Sequence, residues 1–168
     1  MTIPWQEPLV PREPAPLTIP EPPRRGEAGG EPCRICAGGA TGPVWSDEHW
    51  TLHPPVGGSL PGTVWAASRE HADSFADLSP AVAASFGGLC ARVERGILAR
   101  GDAARVHLYR WGDGGAHFHV WFLPRPRGMV EASGAMLPLW EDVLPNVPDG
   151  ELRAAAEAVA RAMGRPAA

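Results

Sequence analysis

The chain contains no lysine; all 15 of its basic residues are arginine. Any anion that a side-chain cation holds must therefore be met by guanidinium groups, which suit a small phosphorylated ligand. The acidic residues outnumber them, and the net charge of −4 argues against a protein that coats nucleic acid, which needs a basic face. Long apolar runs are also missing. The apolar stretches are short and interrupted, and the N-terminal segment has no hydrophobic core of a secretory leader, so neither a membrane span nor export is expected. With only three cysteines a disulfide framework is not expected, and a reducing cytoplasm is the expected compartment.

What the chain has in excess is proline and glycine, 20 of each, and seven tryptophans. Nine of the prolines fall in residues 1–32, which cannot build regular backbone ladders and read as an extended arm, disordered or lying along the surface. Residues 33–168 read as one globular domain with a C-terminal helical extension. A domain of that size buries about two-thirds of its surface, enough for its own core.

The pattern within that domain predicts an α+β fold. Residues 48–53 and 62–68 read as strands, the second opened by Pro61-Gly62. Ser79-Pro80 reads as an N-cap followed by proline at the first helical position. Val82, Phe86, Leu89, Val93 and Ile97 then keep the spacing of an amphipathic helix ending near Gly101. A strand over 105–111 and a Gly-rich turn, Gly112-Asp113-Gly114-Gly115, lead into a last strand, and a final helix runs from about Glu151 to Met163. Residues 134–148 are poorly periodic. Strands joined by short turns around one long central helix, with a C-terminal helix, imply an antiparallel sheet.

Two motifs carry chemistry. The last strand reads His117-Phe118-His119-Val120-Trp121-Phe122-Leu123-Pro124-Arg125. Alternation places His117, His119 and Trp121 on one face and Phe118, Val120 and Phe122 on the other, with the two imidazoles roughly 6.6 Å apart along the strand. Both are metal ligands, or one holds a metal while the other reacts. The second motif, Cys33-Arg34-Ile35-Cys36, is either a redox pair or half of a zinc site. Pro32 before it and a Gly-rich stretch after it argue against the helix a redox pair wants, and favour a turn aiming two thiolates at a cation. Two further ligands would come from among the six histidines.

Together the motifs resemble the histidine-triad (HIT) superfamily. The Gly114-Gly115-Ala116-His117-Phe118-His119-Val120-Trp121 run closed by Pro124-Arg125 follows its hallmark, and Pro61-Gly62-Thr63, Arg69-Glu70-His71 and Asp77-Leu78 follow its upstream half. The resemblance spans about residues 33–125 and is nearer the zinc-bearing uridylyltransferase-like branch than the purine phosphoramidase one. It implies a structural zinc held by Cys33, Cys36, His71 and His117. It also implies that His119 attacks an α-phosphate as nucleophile, in a nucleotide hydrolase or nucleotidyltransferase passing through a nucleotidyl-histidine. Gly114 and Gly115 would offer backbone N–H groups to the phosphate, and Arg110, Arg125 or Arg127 its counter-charge. Trp121 stands where the family's third histidine belongs, as a plug or a stacking platform for a base. A degenerate member that binds a nucleotide or a protein partner without turnover is the alternative, and many relatives form homodimers. His49, His53 and His107 are expected on strand surfaces, and Cys90 as a small buried hydrophobe.

Overall fold

A computed structural model describes residues 4–5, 13–38 and 42–164. Its elements are β1 (Trp45–Ser46), β2 (Trp50–His53), β3 (Val64–Ser68), α1 (Pro80–Leu98), β4 (Ala103–Tyr109), β5 (His119–Pro126), α2 (Met136–Val143) and α3 (Asp149–Ala162). The strands form one sheet in the order β1-β2-β3-β5-β4, and every neighbouring pair is antiparallel. The expected α+β architecture is therefore present, and no helix among the described residues is long and apolar enough to cross a membrane.

One face of the sheet is the main core. Phe118, Val120 and Phe122 point there with Val64, Ala66, Leu52 and Trp50, against Val82, Leu89, Val93 and Ile97 of α1. Trp50 is fully buried, and its indole N–H is satisfied by Ser85 Oγ at 2.7 Å. The α3 helix adds Ala156 and Val159 from behind. Its approach depends on Gly96 of α1: a Cβ there would meet the Val159 carbonyl oxygen at 2.7 Å.

Ser79 is the residue before α1 and Pro80 opens it, as the sequence suggests, but the Ser79 hydroxyl does not cap the helix. The Ser79 N–H is instead held by Glu70 Oε1 at 2.7 Å, which ties the helix start to the loop after β3. The α1 helix ends three residues short of Gly101, whose φ of +84° turns the chain into β4.

Two elements depart from the sequence reading. Trp45–Ser46 is a short edge strand that two residues are too few to announce. Within the aperiodic 134–148 stretch lies α2, which contains Pro138. That proline falls in the first turn, where its missing N–H would have had no intrahelical partner, so the helix tolerates it. Leu137 of α2 makes a second, smaller core with Leu60, Leu123 and Ala132 on the other side of the sheet, joined by Trp121, Tyr109 and Trp140.

Of the N-terminal arm, residues 1–3 and 6–12 lie outside the described residues. Residues 13–23 are exposed and have neither helix nor strand, and from Arg24 the chain docks on the domain. Arg24 donates to the Gly112 carbonyl at 2.6 Å and pairs with Asp73, while the Ala116 N–H donates to the Arg25 carbonyl at 2.8 Å.

Candidate functional site

The Cys33–Cys36 segment is a tight turn, closed by the Ala37 N–H on the Cys33 carbonyl at 3.1 Å. The Cys36 N–H points at Cys33 Sγ at 3.5 Å. The turn faces His71, just past the end of β3, and His117, two residues before β5 begins. One ligand atom from each of Cys33, Cys36, His71 and His117 lies within 4.8 Å of all the others. Cys33 Sγ is 3.3 Å from His117 Nδ1, and Cys36 Sγ is 3.3 Å from His71 Nδ1 and 3.5 Å from His117 Nδ1. Bond lengths of about 2.3 Å to sulfur and 2.0–2.1 Å to nitrogen give a tetrahedral zinc site S···N edges of about 3.6 Å, so the cluster has the right chemistry and size.

The surroundings orient these ligands. His117 Nε2 lies 2.8 Å from the Ser68 carbonyl oxygen, which can only accept; the proton is therefore on Nε2, and Nδ1 presents its lone pair to the cluster. Burial, helped by His71 and His119 nearby, holds the His117 pKa below its ordinary value and keeps the ring neutral. The Cys36 thiol is pushed up, first by burial and then by its Cys33 neighbour, so a cation is what would let both cysteines ionise. Gly26, with φ of +92°, lets the arm pass over the cluster; a Cβ would meet the Ala116 carbonyl oxygen at 3.1 Å and His71 Cε1 at 3.3 Å.

Beside the cluster lies an open cleft of about 360 Å³ with His119 in its wall. His119 Nδ1 is 2.7 Å from the His117 carbonyl oxygen. By the same reasoning Nδ1 carries a proton, so in the neutral ring Nε2 is the nitrogen that keeps a lone pair. Antiparallel pairing sets Ala67 opposite His119 and Trp65 opposite Trp121, so both indoles share the cleft face with the imidazole. The Trp65 ring meets His119 edge-on at 6.4 Å and lies 6.1 Å from the Trp121 ring.

Gly114, Gly115 and Trp121 line the cleft with His119, as does His117 from the metal cluster. Arg110 is not among the lining residues. Its guanidinium lies over the Phe118 ring at 5.2 Å and donates to the Asp73 carbonyl, a bracing position under the loop. Arg125 and Arg127 serve the far end of β5, where they bond the Met129 and Ala103 carbonyls. The cations that do line the cleft are Arg25 and Arg34. Arg34 sits inside the Cys-x-x-Cys turn, so its nearness follows once that turn docks on His117. Trp65 was legible only through the strand register, and Arg25 comes from the docked arm.

His53 departs from its expected surface position. It is buried and stacks on Trp65 at 4.2 Å, while Trp65 donates its indole N–H to the Pro54 carbonyl at 3.0 Å. The alternation that exposes one face of β2 fails there because the imidazole is held between the Trp65 ring and Thr51 Oγ1, 2.9 Å from its Nε2. His49 and His107 are half-buried, and His107 Nδ1 lies 3.0 Å from the Tyr109 hydroxyl. Cys90 is partly buried against the main core, and burial pushes its thiol up to about 11.

No family model matches the chain, and no curated protein matches it. Solved structures do. A HIT-like protein involved in cell-cycle regulation from Bartonella henselae superposes with a TM-score of 0.58 at 12% identity, over 77% of this chain and 92% of that one. A zinc-bound histidine-triad protein from Mycobacterium smegmatis gives 0.55 at 19% identity, over 78% and 90%. A hypothetical histidine-triad nucleotide-binding protein from Sulfolobus tokodaii gives 0.57 at 16% identity, over 78% and 89%. Identities this low speak to architecture, not to activity. With its five-stranded antiparallel sheet and long helix, and with two histidines where β5 meets the cleft, the chain has the fold of the histidine-triad proteins.

Proposed function

We propose that this protein is a HIT-type enzyme acting at the α-phosphate of a nucleotide, a hydrolase or nucleotidyltransferase, with His119 as the nucleophile. Cys33, Cys36, His71 and His117 would hold a zinc ion; bound there, it would neutralise two thiolates and cross-link the N-terminal turn to the sheet, with four protein donors leaving no open position for reaction. The site fits a reducing, cytoplasmic compartment, where the thiols stay free for metal.

The observation that carries this reading is the 2.7 Å contact between His119 Nδ1 and the His117 carbonyl, which makes Nε2 the ring nitrogen left to react in a cleft that arginines also line. The Nε2 lone pair forms a bond to the α-phosphorus as the bond to the leaving group breaks, and the leaving group takes the electron pair. Arg34, and Arg25 on release from its ion pair with Glu31, would face the charge that gathers on the phosphoryl oxygens, and Gly114 and Gly115 line the cleft with backbone that no side chain of their own shields. Water, or an acceptor hydroxyl, then attacks phosphorus, loses a proton, and returns the electron pair to His119.

A second reading rests on Trp121. An indole cannot exchange protons near neutral pH, and here it is partly buried against the second core and the Trp65 ring. On that reading the cleft binds a nucleotide without turning it over. Incubation with dinucleoside polyphosphates, nucleotide sugars and nucleoside phosphoramidates, followed by intact-mass analysis, separates the two. A nucleotidyl adduct lost in His119→Ala supports the enzyme; turnover that survives that substitution refutes it; tight binding with no adduct and no product favours the second reading.

A further inference from the structure

A second recess opens at the other side of Trp121. It holds about 500 Å³ and shares Val56 and Trp121 with the His119 cleft, so the two are neighbours across those side chains. Its character is opposite. The cleft carries Arg25 and Arg34, whereas the recess is lined by Glu141 and Asp142 of α2, by Trp111 and Trp121, and by no basic residue.

Glu141 is not a loose surface carboxylate, whereas Asp142 beside it is exposed. Glu141 Oε1 accepts from the Ser59 N–H at 3.2 Å, and the Ser59 hydroxyl donates to the Glu141 carbonyl at 2.9 Å. Gly58 closes on the same carboxylate, where a Cβ would stand 2.7 Å from Oε1. The Trp111 ring is held flat against Tyr109 at 5.1 Å. Thr63, also in the wall, is 4% exposed, and its buried Oγ1 has no hydrogen-bond partner. A buried hydroxyl left unpaired is costly, and one in a cavity wall is an unused contact for a ligand. Carboxylates beside indole faces favour a cation.

The chemistry at His119 restricts what such a cation is attached to. Trp121 cannot protonate a departing group, so the leaving group must depart as a stable anion; a phosphate monoester does, an alkoxide does not. We infer that the recess formed by α2 takes the cationic tail of the leaving group, and that the substrate is a nucleoside diphosphate esterified to an amino alcohol. This rests on the reading of His119 given above. Attack by Nε2 would form the bond to the α-phosphorus and break its bond to the bridging oxygen. The electron pair leaves with the phosphorylated amino alcohol, whose ammonium lies by Glu141 and Asp142.

The test compares nucleoside diphosphocholines with uncharged isosteres in which a tert-butyl group replaces the trimethylammonium group. The zinc-loaded full chain should prefer the cationic ester by about tenfold in kcat/KM, the scale of one or two cation contacts with carboxylate and indole. Asp142→Asn and Thr63→Val should each shrink that ratio. In a parallel titration with phosphocholine and its tert-butyl isostere, only phosphocholine should shift the indole N–H resonances of Trp111 and Trp121. Equal turnover of the two esters, or equal response to the two phosphates, overturns the inference. If phosphocholine moves those resonances and Asp142→Asn abolishes the shift, yet no ester is turned over, the recess stands and the reading of His119 falls.

Discussion

The two faces of residues 118–122, where the chain enters β5, make the most instructive comparison in this molecule. Phe118, Val120 and Phe122 enter the main core, where they are at most 3% exposed. His119 and Trp121, interleaved with them, stay half-buried in a cleft wall. Backbone, length and neighbours are shared, so the difference lies in side-chain chemistry and in what covers each face. The α1 and α3 helices seal one face completely, whereas α2 covers only the far end of the other. A face that is half covered is where polar side chains can stay hydrated and still be held in place.

Substitutions at adjacent residues would break this comparison cleanly. His119→Ala should remove nucleotidyl transfer by more than about 10⁴-fold, the scale seen when a nucleophile is lost, with an unchanged unfolding midpoint. Phe118→Ala, one residue away, should do the reverse and cost about 3–5 kcal/mol by denaturant titration, because Phe118 is fully buried. A large stability loss at His119 would show that the two faces are not separate in function.

The metal cluster tests whether the half-covered side is pinned independently. The purified protein should hold about one zinc per chain, and Cys36→Ser should lose it. Where free zinc exceeds its Kd about 1,000-fold, chelation should lower stability by about 4 kcal/mol. Chelation should also expose Cys33 and Cys36 to alkylation, while Cys90, its thiol pushed up to about 11 by burial, stays slow. A metal-free protein of undiminished stability would sink the assignment.

Smaller effects sharpen the contrast. Gly96→Ala should cost about 1–3 kcal/mol, since its Cβ would press on the Val159 carbonyl and push α3 off the sealed face. On the other face, burial lowers the His107 pKa below 6.5. The unfolded chain then binds a proton near 6.5 that the native state binds only at lower pH, so stability is complete above that value and declines as pH falls through it. His107→Gln should flatten the decline in urea midpoint between about pH 7 and pH 5. An unchanged slope would mean that His107 is not desolvated there.

How much was legible beforehand varied with the kind of signal. Val82 to Ile97 announced α1 by spacing, and the β5 alternation announced its buried and open faces. The α2 helix stayed hidden because Pro138 looks like a breaker to anyone who does not know that it sits in a first turn. Arg110 looked like a phosphate ligand from its place before the Gly-rich turn, yet Phe118 and Asp73 draw its guanidinium elsewhere. Arg25 carried no signal at all, since nothing local says that the end of a Pro-rich arm will dock beside His117.

By itself, then, the sequence determined the period of α1 and β5 and offered thiol and imidazole groups at Cys33, Cys36, His71, His117 and His119, because periodicity and side-chain chemistry belong to residues taken one or two at a time. Only the tertiary structure decided which arginines face His119, that His53 is covered, and that Glu141 and Asp142 share a wall with Trp121. Those are meetings between segments far apart in the chain, and their outcome depends on loop paths and packing that no local pattern encodes.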